Sequence, residues 1–172
     1  TNRSSDYPAV RTMQTPAAPS AYMGPRQYEA EDFEYKTISG VALKNATIAG
    51  YTALGYLMFG NNAAASIRQK VTVAESGTYT LKTKYCAPAY TINTQVHIYI
   101  DGVKAVTPVF GKTSSTEWNV NSVEIPLKAG ENTLEFRASA SAGALHIDNI
   151  IIDGNVLSNL KNPGSEIGRA HV

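Results

Sequence analysis

Cysteine is nearly absent from this chain. Cys86 is the only one in 172 residues, so no intramolecular disulfide exists and pairing says nothing about redox compartment. On the strand expected over residues 79–87 a lone thiol acts as a small hydrophobe. An excess of either charge sign is also missing. The net charge of +1 supplies no basic field to draw nucleic acid or anionic lipid. No apolar run approaches the roughly 18–20 residues that cross a bilayer. One cysteine and scattered histidines do not make a zinc site. Helical stripes are lacking too, while 43% hydrophobic and 17% charged residues are ordinary for a globular protein. This length fits one domain with flanks.

What is present alternates with period two. Tyr79, Leu81, Thr83 and Tyr85 share one face of an expected strand, with Thr80, Lys82 and Lys84 on the other. Val96, Ile98 and Ile100 repeat the pattern, and Asp101-Gly102 predicts a tight hairpin into residues 103–106. Val123, Ile125 and Leu127 face inward, Ala129-Gly130-Glu131-Asn132 turns the chain, and Leu134, Phe136 and Ala138 return it. Trp118 and Val120 fall out of phase with Val123, which predicts a bulge or bend near Asn121. Turns at this spacing predict an all-β fold, a β-sandwich of two antiparallel sheets, with a barrel as the alternative.

Residues 1–27 carry Pro8, Pro16, Pro19 and Pro25 without apolar periodicity and read as a linker or the edge of a neighbouring domain. The patterned domain is expected over 28–153. Residues 154–172 read as a flexible tail in which Glu166–Val172 need not be native. The opening Thr1 and the lack of a signal segment fit a piece of something larger.

Acids stand at both ends of the patterned region. Tyr28-Glu29-Ala30-Glu31 opens it and Leu145-His146-Ile147-Asp148 closes it. In a strand, Glu29 and Glu31 point the same way and can share an ion. Asp148 between Ile147 and Ile150 needs a cation or hydrogen-bond donors to stay ionised. Calcium, with six to eight oxygen ligands, suits such a set. Surface acids on a sheet edge give the same spacing, and the residues alone leave both readings open.

These pieces, with Gly50-Tyr51-Thr52-Ala53-Leu54-Gly55-Tyr56, Phe59-Gly60-Asn61, Gly77-Thr78-Tyr79-Thr80-Leu81 and Leu127-Lys128-Ala129-Gly130-Glu131-Asn132-Thr133-Leu134, resemble a carbohydrate-binding module of family 35, or the related family 6, across residues 28–153. The resemblance implies a jelly-roll sandwich. It also implies a structural calcium on Glu29, Glu31 and Asp148, with backbone oxygens from residues 51–56. A sugar site would use Tyr56 as an aromatic platform, with a packed core residue as its alternative, and Trp118 as a second platform or a packed core residue. It would also use His146, where the family has an asparagine, unless that is a strand residue simply facing out. Asn61 and a loop with Tyr90 and Asn93 are further candidates. The family's loop tryptophan falls on Ser115, and no acid follows Asn61 to hold a uronate-reading calcium. Neutral plant-wall glycans are therefore the expected ligands.

The resemblance further implies a secreted, monomeric, non-catalytic module tethered to a polysaccharide-degrading enzyme, with no nucleic-acid or membrane partner. A calcium-stabilised spacer that binds no sugar is the alternative. A glycosidase would need two carboxylates facing across a cleft. Asp101, Glu117, Glu124 and Glu135 fall instead on turns or outward strand positions.

Overall fold

The computed structural model describes residues 22–33, 35–36, 40–60 and 65–158. In chain order the strands are β1 (Tyr22–Glu29), β2 (Tyr35–Lys36), β3 (Val41–Lys44), β4 (Tyr56–Phe59) and β5 (Ser66–Val73). There follow β6 (Gly77–Cys86), β7 (Ile92–Asn93), β8 (Val96–Ile100) and β9 (Val103–Val106). The last are β10 (Phe110–Gly111), β11 (Asn119–Leu127), β12 (Gly130–Ala138) and β13 (Leu145–Ser158). A 3₁₀ turn, Ala30–Asp32, ends β1.

All pairings are antiparallel and form a β-sandwich of the jelly-roll class. One sheet runs β11–β6–β13, and the far side of β13 takes β4 at one end and β1 along the rest, with β3 outside β4. The other runs β2–β5–β12–β8–β9, and the pair Val73 with Val156 links the two. The inward rows expected from alternation are found. Tyr79, Leu81 and Tyr85 of β6, Val96, Ile98 and Ile100 of β8, and Leu134, Phe136 and Ala138 of β12 are buried in one core with Ile147, Ile150 and Ile152 of β13. Asp101 and Gly102 adopt φ of 49° and 82°, the left-handed pair that a two-residue hairpin requires. Asn132 closes the β11–β12 turn, its Nδ2 donating to the Lys128 and Gly130 carbonyls at 2.9 and 3.1 Å.

Three expectations are corrected. β11 pairs with β6 without a register shift from Asn119 to Leu127, so the bend expected near Asn121 is absent. Val120 simply faces out, 62% exposed. The irregularity lies in β13, where Asp148 is the extra residue between the pairs Ile147–Tyr85 and Asn149–Lys84. The strands also pass the expected bounds: β1 begins at Tyr22, inside the supposed linker, and β13 runs on to Ser158. Gly24 and Pro25 hide the alternation of β1, whose own register shift falls between Gly24 and Arg26, a place where proline is tolerated. The remaining linker and tail, residues 1–21 and 159–172, lie outside the described residues.

Candidate functional site

Two side-chain clusters lie together on the outer face of the β6–β13 sheet, beneath the segment of residues 45–55. The first is acidic. Glu29, Glu31 and Asp148 bring carboxylate oxygens within 4.8 Å of one another, and all three residues are buried. Their convergence has a different cause from the one the spacing suggested. Glu29 ends β1 opposite Asn149, but Glu31 sits in the 3₁₀ turn rather than two along a strand. The bulge delivers Asp148, since an extra residue re-aims a side chain and leaves its neighbours in register.

Residues 51–56 close over the acids with donors. The Thr52 amide donates to Oδ1 and Oδ2 of Asp148 at 3.1 and 3.0 Å, and the Leu54 amide donates to Glu31 Oε2 at 2.8 Å. Ala53 between them takes φ of 54°, a left-handed step that lets flanking amides form an anion-receiving concavity. The sequence pointed to backbone oxygens from this segment; amides are what face the acids. Thr52 Oγ1 donates to Glu29 Oε1 at 2.5 Å and accepts from Asn149 Nδ2 at 3.0 Å. Gln27 Nε2 donates to Glu29 Oε2 at 2.6 Å. A cation stands beside the acids as well: Lys84 Nζ lies 2.9 Å from Asp148 Oδ2.

Burial dominates the titration of all three acids. It pushes Glu31 up to about 7, against the hydrogen bonds from its own backbone and from Leu54. It raises Glu29 despite the Thr52 and Gln27 hydrogen bonds, and the charge of Asp148 adds to the rise. It raises Asp148 as well, outweighing Lys84 and Thr52. The three carboxylates thus share one enclosed site with Lys84 beside Asp148, and Asp32 adds to the negative charge around the two glutamates.

The second cluster is aromatic. Tyr56, Ile48 and Cys86 are buried together, with Tyr51 and Trp118 packed against them. Tyr56 is fully buried, its ring edge-on to Trp118 at 5.2 Å and to His146 at 5.6 Å. Its hydroxyl accepts the Ile48 amide at 3.1 Å. Tyr56 therefore has no free face for a sugar, and the platform expected there is a core residue. Alternation explains it: Leu57 points into the main core, so Tyr56 points to the outer face that residues 45–55 cover.

Trp118 is half-buried. Its indole N–H donates to the Ala49 carbonyl at 2.8 Å, and Lys84 Nζ stands 5.5 Å from its ring centroid. It ties down the covering segment and keeps a partly exposed ring. His146 is half-buried beside Tyr56, and burial lowers its pKa against a hydrogen bond with the Cys86 backbone. Tyr90 is 39% exposed and lies over Gly143, where an added Cβ would come within 2.3 Å of its ring. Asn93 is buried and donates to the Ala142 carbonyl, so it braces that loop. Asn61 lies outside the described residues. Thr52, Lys84 and Asn149 were missed as parts of the clasp. Thr52 stood inside a recognised motif, but nothing local to Lys84 or Asn149 announces cross-strand neighbours.

No other constellation among the described candidates is built for acid–base chemistry. Glu135 is buried, and Arg137 donates to both its oxygens at 3.1 and 2.8 Å. His97 meets Thr107 Oγ1 at 2.6 Å and Ser139 Oγ at 2.9 Å. After burial, the influence on its titration is the charge of Lys104, which lowers its pKa, rather than an orienting carboxylate.

The comparisons place this β-sandwich among the carbohydrate-binding modules. The sequence model of carbohydrate binding module family 35 matches residues 26–156, and the chain belongs to that family. It is similar to the native structure of a family 35 module from Clostridium thermocellum, with a TM-score of 0.64 and 28% identity over 74% of this chain and 96% of that one. A family 35 module from an environmental isolate gives 0.66 and 28%, over 80% and 98%. Among curated proteins, the exo-beta-D-glucosaminidase of Amycolatopsis orientalis is 30% identical over 130 residues, 74% of this chain but 12% of that protein. The isomaltosyltransferase of Sporosarcina globispora is 30% identical over 73% of this chain and 11% of its own length.

Proposed function

We propose that this module is non-catalytic, holds calcium at Glu29, Glu31 and Asp148, and keeps a tethered, secreted polysaccharide-degrading enzyme on a neutral plant-wall glycan. The observation that carries the calcium reading is the buried triad itself, whose carboxylate oxygens lie within 4.8 Å of one another. A hard cation prefers carboxylate oxygens, and each carboxylate here keeps lone pairs beyond those accepting amides. The ion would supply charge compensation and a tie between the first strand, the last strand and residues 51–54. Tethering raises the effective concentration of substrate at the enzyme, so weak binding by the module is enough. The small share that this chain represents of its curated relatives supports a module within a longer enzyme.

For the glycan, the available faces are Trp118 and Tyr90, since Tyr56 is enclosed. That enclosure also favours a second reading, a calcium-held spacer with no sugar ligand. A polysaccharide panel decides between them, run with calcium and with chelator. It should hold galactan, mannan and xylan, with glucosamine polymers and isomaltose-type glucans added because of the relatives' names. Binding to a neutral wall glycan that weakens on Tyr90→Ala or Trp118→Ala supports the targeting module. Binding only to the added polymers replaces the proposed ligand class. Silence across the panel, with a Tm that still rises in calcium, supports the spacer.

A further inference from the structure

Lys84 reaches the acid clasp and the aromatic cluster at once. Alternation along β6 points it outward between Lys82 and Cys86. Its ammonium lies 2.9 Å from Asp148 Oδ2, donates to the Gly50 carbonyl at 2.5 Å and stands 5.5 Å from the Trp118 ring centroid. Its pair with Asp148 differs from the neighbouring pair of Lys82 with Asp153. There the two side chains are 42% and 40% exposed, whereas Lys84 is 22% exposed and Asp148 is wholly enclosed. Exposed pairs of the first kind contribute little, while removing one partner of an enclosed pair leaves the other charge stranded.

We propose that Lys84 is the resident counter-ion of the clasp and competes with the incoming metal for Asp148. This inference rests on the reading that the triad takes a divalent cation. Without metal, Lys84 compensates one of the three carboxylates and pins the Gly50 carbonyl, so the segment of residues 45–55 stays closed. A divalent cation entering beside Asp148 meets a positive charge already in place. The two repel at a separation where Coulomb energies are large in a partly dry site. Loading therefore drives the ammonium away from Asp148, and the ring beside that path is Trp118. Lys84 thus lowers metal affinity, protects the metal-free fold, and transmits the loading state to an aromatic side chain on the candidate sugar face.

Trp118 is the only tryptophan, so intrinsic fluorescence reads one site. The test compares the wild-type module with Lys84→Met, Lys84→Gln and, as a control, Lys82→Met. It uses calcium calorimetry, fluorescence during the same titration, and Tm in chelator. Lys84→Met is expected to bind calcium about tenfold more tightly or better. Fluorescence should change with the calorimetric midpoint in wild type and stay flat in both Lys84 variants. Tm in chelator should fall in those variants and hold in Lys82→Met. Equal calcium affinity in wild type and both Lys84 variants overturns the role of Lys84 and leaves the metal reading intact. Absence of calcium binding in every protein overturns the metal reading, and the competition with it. A Lys84 variant that folds only when calcium is added supports the proposal; one that stays unfolded in both conditions counts against it.

Discussion

The backbone amide of Thr52 donates to both carboxylate oxygens of Asp148, at 3.1 and 3.0 Å, across 96 residues of sequence. Thr52 Oγ1 meanwhile donates to Glu29 at 2.5 Å. One residue therefore joins the covering segment to both ends of the domain. Thr52→Val keeps the amide and loses the hydroxyl. It should reduce stability by about 1–2 kcal/mol, because Glu29 and Asn149 each lose a partner in a partly buried site. Urea unfolding in chelator measures this, and an unchanged midpoint would remove Thr52 Oγ1 from the clasp.

The acids set an unusual pH dependence. Burial raises all three, with Glu31 at about 7, so the folded metal-free protein holds more protons than the unfolded chain between their ordinary carboxylate values and about pH 7. Stability in chelator should therefore fall as pH rises from about 4.5 to about 7 and level off above. If the triad takes calcium as proposed, saturating calcium should favour the ionised acids, oppose the fall and stabilise most above pH 7. Melting curves across pH, with and without calcium, test this. A metal-free Tm that rises over the window would contradict it.

Tyr56→Ala should act on the fold rather than on sugar contact. The ring is fully buried among Ile48, Trp118 and His146, and removing a large aromatic from such a site costs about 3–5 kcal/mol. Tyr56→Phe loses only the bond from the Ile48 amide, about 1 kcal/mol. Chemical denaturation of both variants checks the ratio. A Tyr56→Ala module with unchanged stability would mean that the ring is not packed as described.

Tyr90 can be moved without being mutated. Gly143 holds φ of 59°, and a Cβ there would fall 2.3 Å from the Tyr90 ring. Gly143→Ala should displace that ring and lower stability by about 1 kcal/mol, because a left-handed site loses its glycine. Tyr90→Ala, at a 39% exposed position, should leave Tm within a degree or two. If Tyr90 is a sugar platform, both variants weaken glycan binding on the same polysaccharide. Intact binding in both removes Tyr90 from the site.

Legibility in the sequence followed the range of the interactions. Rows such as Tyr79-Leu81-Thr83-Tyr85 and Val96-Ile98-Ile100 were readable because period two is a local property of a strand with one face in the core. The three acids do converge, although a 3₁₀ turn and a bulge bring them together rather than a shared strand face. The bulge's mark is the inward row's switch from Leu145 and Ile147 to Ile150 and Ile152, a change of parity that the reading of the last strand passed over. For Tyr56 the neighbouring Gly55 suggested an open loop and left platform and core both open, whereas a second small core fills that outer face. Trp118 is tied to Ala49 by its nitrogen and partly open to solvent, which fits either of the two readings its sequence left open.

β1 and β13 lie antiparallel with Tyr22 opposite Ser158 at one end and Glu29 opposite Asn149 at the other. Tension applied through the flanking chain would open this ribbon rung by rung, as a zipper, beginning at Tyr22 and Ser158. Unzipping one rung at a time needs little force. The final rung, however, is fastened by Thr52, Lys84 and the acid triad. The clasp stands where a zipper has its stop, so a domain pulled by its two ends would fray at its mouth and hold at its root.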